Sequence, residues 1–209
     1  MIKDEHLIIN VGRQLGSGGR IVAKLLADEF GCSLYDREIL NLAAKESGFS
    51  EKFFEQNDEH KGFFKSLFHL HTPHLSDVSF YANKFSQENL FQFQSDAIRK
   101  AASEGPCVFV GRCADYVLRD FPKVVNVFIT ADFSDRVKLV VERGGYTPEQ
   151  AKKIIHNGES DRSSYYDYYT GKKWGHSSGY DLCINSSRLG IEGTANLISQ
   201  YIRCRFDLT

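Results

Sequence analysis

The chain has no run of about 18 consecutive apolar residues, so no membrane-spanning helix is expected. Its opening, MIKDEHLIINVG, carries charges before a short apolar run and has no small-residue cleavage site, so no secretory leader is expected and the chain is placed in the cytoplasm. A charge excess is missing too. Lys plus Arg (26) nearly balance Asp plus Glu (27), so no global field draws the protein to nucleic acid or to a membrane surface, and any anion binding must be local. There is no CxxC pair. The five cysteines (Cys32, Cys107, Cys113, Cys183 and Cys204) are odd in number and widely spaced, and read as small buried residues in a reducing compartment, with neither a disulfide frame nor a zinc site. Internal repeats and low-complexity tracts are also lacking.

What is present is a pattern of alternating elements. A length of 209 residues with 42% in the hydrophobic set suits one domain, 1–209, with a full-sized core. Leu7–Val11 (LIINV) is a short apolar, β-branched run closed by Gly12, and fits a strand buried on both faces. A Gly-rich turn follows, then IVAKLLADEFG, with apolar residues at helical spacing and a stop at Gly31. Further strands are expected at Cys32–Tyr35, in CVFVG, at Val124–Thr130 and at Tyr180–Asn185. Helices are expected after Asp36, over Phe91–Glu104, over Phe133–Arg143, from the cap Thr147-Pro148-Glu149 to about Tyr169, and over Ile191–Arg205. Five continuously apolar strands alternating with helices predict an α/β architecture, a parallel sheet with helices on both faces. Between them, residues about 49–89 carry many Phe and Tyr among polar residues with weak periodicity. This stretch reads as irregular helices covering the core, or as a dimer surface that would make the protein a homo-oligomer.

Gly16-Ser17-Gly18-Gly19 lies between a predicted strand and a predicted helix, where free backbone N–H groups and the helix dipole favour a phosphate. The standard phosphate loop reads G-x-x-x-x-G-K-[ST], its Lys reaching the outer phosphates and its hydroxyl holding Mg²⁺. In that register Arg13 stands at the first Gly, Gly19 at the Lys and Arg20 at the hydroxyl. Arg20 can offer a bidentate fork to an anion but cannot bind a cation. A tight glycine turn without a ligand is the alternative. Gly111-Arg112 closes a buried strand, with Asp115 three residues on, where ligands bind in open α/β sheets. Arg136 and Arg143 share one helix face by spacing, and Asp161-Arg162 precede a tyrosine-rich YYDYYTGKKW. Each arginine alone reads as a surface ion pair; jointly they suit phosphoryl transfer, which needs several cations around the transferred group.

These segments, GRQLGSGGRIVAKLLADEFG, LYDREIL, VFVGRCADYVL, VFITADFSDRVKLVVERGG, SDRSSYYDYYTGKKWG and YDLCINSSRLGIEG, resemble the cytidylate kinase-like family. The resemblance covers most of the chain outside Phe49–Asn89. It implies a P-loop nucleotide-kinase-like, five-stranded parallel sheet, with ATP and Mg²⁺ as cofactors and a nucleotide or other phosphorylated small molecule as partner. It further implies that Gly16, Ser17, Gly18, Gly19 and Arg20 bind phosphate, that Asp36, Arg37, Arg112 and Asp115 approach the acceptor, and that Arg136, Asp161 and Arg162 are catalytic or belong to a lid at about 145–178. Asn185 stands where the family's terminal strand ends in Asp. The missing Lys and hydroxyl bear on ATP affinity and on the placement of Mg²⁺. No protein-built metal site is expected. HLHTPH, with His69, His71 and His74, reads as a loop, and the tyrosines either stack on a base or pack a long helix. A non-catalytic nucleotide or anion sensor, or a partner-binding domain, are the alternative readings.

Overall fold

The computed structural model describes residues 6–36 and 79–208, the side chains of 79–87 excepted. The chain divides into two compact units, Met1–Arg37 with Ile98–Thr209, and Glu38–Ala97. In chain order the elements are β1 (Ile8–Arg13), α1 (Gly19–Phe30), β2 (Ser33–Tyr35), α2 (Ser79–Glu104), β3 (Cys107–Val110), α3 (Ala114–Val117), β4 (Val124–Thr130), α4 (Phe133–Gly144), α5 (Pro148–Thr170), β5 (Leu182–Asn185) and α6 (Ser186–Phe206).

All strand pairings are parallel, and the sheet runs β2-β3-β1-β4-β5, which puts β1 in the middle. Continuous apolar runs form such strands because neither face meets water. On one face Ile9 and Val11 of β1 join Val22 and Leu26 of α1 and Ile198 and Ile202 of α6 in a single core. On the other, Phe128 of β4 meets Trp174 edge-on at 5.2 Å and Tyr180 at 5.0 Å. Asn10, buried inside β1, sits level with Asn126 of β4 and its Nδ2 donates to the Asn126 side-chain oxygen at 2.8 Å, while its own Oδ1 has no hydrogen-bond partner among the described residues.

The expected five-stranded parallel α/β sheet is therefore present, and most element ends fall where the turn chemistry places them. Gly31 closes α1 at φ +62°, and Thr147 opens α5 with a reciprocal capping box to Gln150 and Pro148 in the first turn. Four expectations need correction. The expected helix Phe91–Glu104 begins at Ser79, because no Gly or Pro interrupts residues 79–104. α6 takes in Ser186–Leu189, with non-helical backbone at Gly190 before the expected start at Ile191. The last strand is shorter, with Tyr180 and Asp181 outside it. The cysteines are not uniformly buried: Cys107 and Cys113 are, whereas Cys183 and Cys204 are exposed. The expected helix after Asp36, Arg37, the histidines of HLHTPH and most of the aromatic-rich stretch lie outside the described residues. Among the described residues no helix is long and apolar enough to cross a membrane.

Candidate phosphate-binding site

Sheet and turn geometry bring the arginines to the carboxyl ends of β1, β2 and β3. β1 ends at Arg13, and Gln14–Gly18 then turn the chain into α1. The turn is braced from three sides. Ser17 Oγ donates to the Gln14 carbonyl at 2.9 Å. The buried Ser186 hydroxyl reaches the Ser17 carbonyl at 2.8 Å and the Thr130 carbonyl at 3.0 Å. Arg136 Nε donates to the Leu15 carbonyl at 3.1 Å. Gly16 holds φ +85°, and a Cβ there would lie 2.7 Å from the Arg136 carbonyl oxygen, so only glycine lets the turn sit this close to α4.

Two of the helices that meet this turn begin differently. α5 has its capping box and an acidic first-turn residue, Glu149. α1 begins at Gly18 with no side-chain cap and no acidic residue in its first turn. A helix start of that kind leaves backbone N–H groups and the positive dipole end to be met by a ligand or water.

Around it stand the cations. Arg20, 62% exposed at its side chain, pairs with the buried carboxylate of Asp36 at 2.5 Å. Arg162 of α5 donates from Nη1 to the Arg13 carbonyl at 3.3 Å. The Arg112 guanidinium lies over the Tyr165 ring, 4.5 Å from its centroid. Arg112 follows Gly111 in a run of left-handed backbone, with φ +74°, +60° and +58° at Gly111, Arg112 and Cys113. Two non-glycine residues in that region are strained, and such strain gathers at sites that must aim a side chain. The half-buried Arg13 guanidinium lies among Arg162, Arg112, Arg20 and Asp36.

Behind Arg112, Tyr166 donates to Asp115 Oδ2 at 2.6 Å. Burial holds the Asp115 carboxyl above its ordinary range, opposed by the Tyr166 hydrogen bond and by Lys172. Tyr166 and Tyr180 are pushed up likewise, by burial first and then by the Asp115 charge. α5 is thereby tied to the segment after β3 through Tyr165 and Tyr166, which is helix packing for Tyr166 and guanidinium stacking for Tyr165. The turn after α5 is closed on itself, with Lys173 on Asp167 at 2.8 Å.

Gly16, Ser17, Gly18, Gly19, Arg20, Asp36, Arg112 and Arg162 thus come together at one end of the sheet, and Asp115 sits behind Arg112. Arg136 is placed elsewhere. It is buried under the turn, its Nη2 3.0 Å from Glu159 Oε1 but off the hydrogen-bond line, so neither atom has a hydrogen-bond partner among the described residues. Arg143, expected on the same face, is exposed in the last turn of α4, and Asp161 is exposed on α5. Arg13 was absent from the expected set, although its signal was present: it shares the alternation of Ile9 and Val11 in β1. For magnesium the residues of the turn do not fit. Arg20 occupies the hydroxyl position and cannot bind a cation, Ser17 Oγ donates to the Gln14 carbonyl and offers only its lone pairs, and among the described residues no three His, Cys, Asp or Glu side chains gather into a metal site.

Residues 8–188 match the model of the Cytidylate kinase-like family. A cytidylate kinase of Pyrococcus horikoshii is similar at 27% identity over 204 residues, covering 97% of this chain and 91% of that protein. The crystal structure of an uncharacterized protein from Eubacterium ventriosum is similar at 28% identity and a TM-score of 0.72, covering 94% and 98% of the two chains. Shikimate kinase from Bacteroides thetaiotaomicron, at 11% identity, a TM-score of 0.52 and the same coverage, shares the fold.

Proposed function

The chain belongs to the cytidylate kinase-like family, and on that footing we propose that it is a nucleoside monophosphate kinase, moving the γ-phosphoryl group of ATP to a nucleotide acceptor. The observation that carries this reading is the helix start without a side-chain cap or an acidic residue, with Arg20 and Arg162 placed round the turn and Arg112 at the neighbouring strand end. In the reaction the bond from the γ-phosphorus to the leaving ADP oxygen breaks, and a bond to an acceptor phosphate oxygen forms. Little covalent chemistry is left to the protein; orientation and charge supply the rate.

In this reading the N–H groups at the start of α1 and the Arg20 fork hold donor phosphates, while Arg112, with Asp36 and Asp115, shapes the acceptor side. Arg37, outside the described residues, keeps only the acceptor role the family resemblance implies. Arg162, with Asp161 beside it, brings α5 to the turn and excludes water when the segment at about 145–178 closes. Arg136 positions the turn through the Leu15 carbonyl and does not touch phosphate. ATP suits the glycine cradle; no step is routed through magnesium held by the turn.

A second reading, nucleotide binding without turnover, is favoured by Arg20 at the hydroxyl position of the loop and by its pairing with Asp36. The two separate in one experiment. Unfolding midpoints are measured against ATP and a panel of nucleoside monophosphates including CMP, followed by an ADP-release assay on those that bind. Stabilisation by ATP and one monophosphate together with ADP release supports the kinase; stabilisation with no release on any acceptor supports the sensor. No stabilisation by any nucleotide defeats both.

A further inference from the structure

We infer that Arg13, the last residue of β1, is the phosphate-binding cation of the Gly-rich turn and replaces in space the lysine that the turn lacks. The inference rests on the kinase reading and adds to it a residue outside the expected set.

Parity comes first. Ile9 and Val11 face the core shared by α1 and α6, so the side chain two positions further along β1 leaves on the same face, at the level where α1 begins. Room has been made for it there. A Cβ on Gly19 would lie 2.6 Å from Arg13 Cβ, and a Cβ on Gly111 would lie 2.1 Å from Arg13 Nη1. The Arg13 side chain therefore runs from the start of α1 across to the end of β3, past two residues whose missing side chains open the path. Gly19 is the position at which a standard loop carries lysine. Here the stem of Arg13 fills that space, so the absent lysine and the misplaced arginine are one exchange and not two losses.

Charge is the third observation. The groups acting on the Arg13 guanidinium are three cations, Arg162, Arg112 and Arg20, and one carboxylate, Asp36, which is itself the partner of Arg20. Burial, then Arg162 and Arg112, push Arg13 down to about 9, which still leaves it charged at neutral pH. Burial disfavours charge of either sign, but the cations that oppose a further positive charge here are the ones that favour a multiply charged anion. A planar fork held there matches two phosphate oxygens at once. The ligand class is thus a polyphosphate, contacted by Arg13 from the strand side while the N–H groups of α1 contact it from the helix side.

The test is calorimetric titration of the full chain with ATP and with inorganic pyrophosphate, for the wild type, Arg13→Met, Arg13→Lys and Gly111→Ala, each checked for a cooperative unfolding transition. Arg13→Met should weaken both ligands about 10- to 100-fold, the range of one charge-assisted hydrogen-bonding group. Arg13→Lys should recover part of the loss, and Gly111→Ala should weaken both by displacing the guanidinium. A merely structural arginine would lower the unfolding midpoint of Arg13→Met and leave its affinities within about twofold of the wild type; that result overturns the inference while the kinase reading stands. If Arg13→Met does not fold, unchanged affinities in Gly111→Ala overturn it equally. A folded wild type that binds neither ligand defeats the kinase reading and this inference with it.

Discussion

Replacing Arg136 by methionine should loosen the Gly-rich turn without removing a phosphate contact. The variant loses the bond from Nε to the Leu15 carbonyl, 3.1 Å long and made by a side chain only 5% exposed. A hydrogen bond from a charged donor in such a place contributes about 1.5–3 kcal/mol. It also strips Glu159 of its counter-charge at 3.0 Å. Breaking a fully buried pair costs about 3–5 kcal/mol, but Glu159 is a quarter exposed and the contact is not aligned, so about 1–2 kcal/mol is the fitting share here. Methionine keeps most of the stem packing. The sum is about 2.5–5 kcal/mol, or roughly 5–20 °C in the unfolding midpoint for a chain of this length. Urea denaturation of the wild type, Arg136→Met, Glu159→Gln and the double variant closes a cycle, in which the pair should show a coupling of about 1 kcal/mol. ATP affinity should fall in step, because the Leu15 carbonyl immediately precedes Gly16. An additive cycle would refute the Arg136–Glu159 coupling, and an Arg136→Met protein within about 0.5 kcal/mol of the wild type would refute the claim that Arg136 holds the turn.

Two further outcomes follow from burial. The Asp115 carboxyl is raised in the folded state, so the native protein holds its proton to higher pH; its contribution to stability is complete below the unfolded carboxylate value of about 3.9 and is lost as pH rises through the folded value. Asp115→Asn should therefore gain on the wild type in unfolding midpoint as pH is raised from about 4 to about 7, and a difference that stays constant across that range counts against the assignment. Burial pushes the thiols of Cys107 and Cys113 up to about 12, whereas Cys183 and Cys204 are exposed. Iodoacetamide on the native protein, read by peptide mass, should modify Cys204 and Cys183 and spare Cys107 and Cys113; native-state labelling of Cys107 would contradict the packing of β3.

Much of the fold was legible because local rules and tertiary demands agree. LIINV and CVFV are apolar without alternation, and only a strand covered on both faces tolerates that. Thr147-Pro148-Glu149 opened its helix for reasons confined to one turn of chain, and Gly31 closed another. Where the signal was weak, as at Ser79–Asn89, mixed aromatic and polar residues hid a helix that nothing in the sequence interrupts. The site was legible in its parts and not in its assembly. Gly16–Arg20, Arg112 and Arg162 could each be singled out by motif or resemblance, but an arginine's spacing says which helix face it occupies and not how deep that face lies. Arg136 and Arg143 share a face, yet one is buried beneath the turn and the other is in solvent.

The sequence by itself determined an alternating α/β chain, and a strand–turn–helix with a glycine turn that lacks the lysine and hydroxyl of the standard phosphate loop. Those features reside in residue type and short spacing, where sterics and hydrogen bonding act within a few residues. Only the tertiary structure decided that Arg13 reaches from β1 past Gly19 to Gly111, that Arg20 meets Asp36, and that Arg136 supports the turn from below. Each of these joins segments brought together by the strand order β2-β3-β1-β4-β5. Charges from such segments act on one another through distance and burial, and neither quantity is written in the sequence between them.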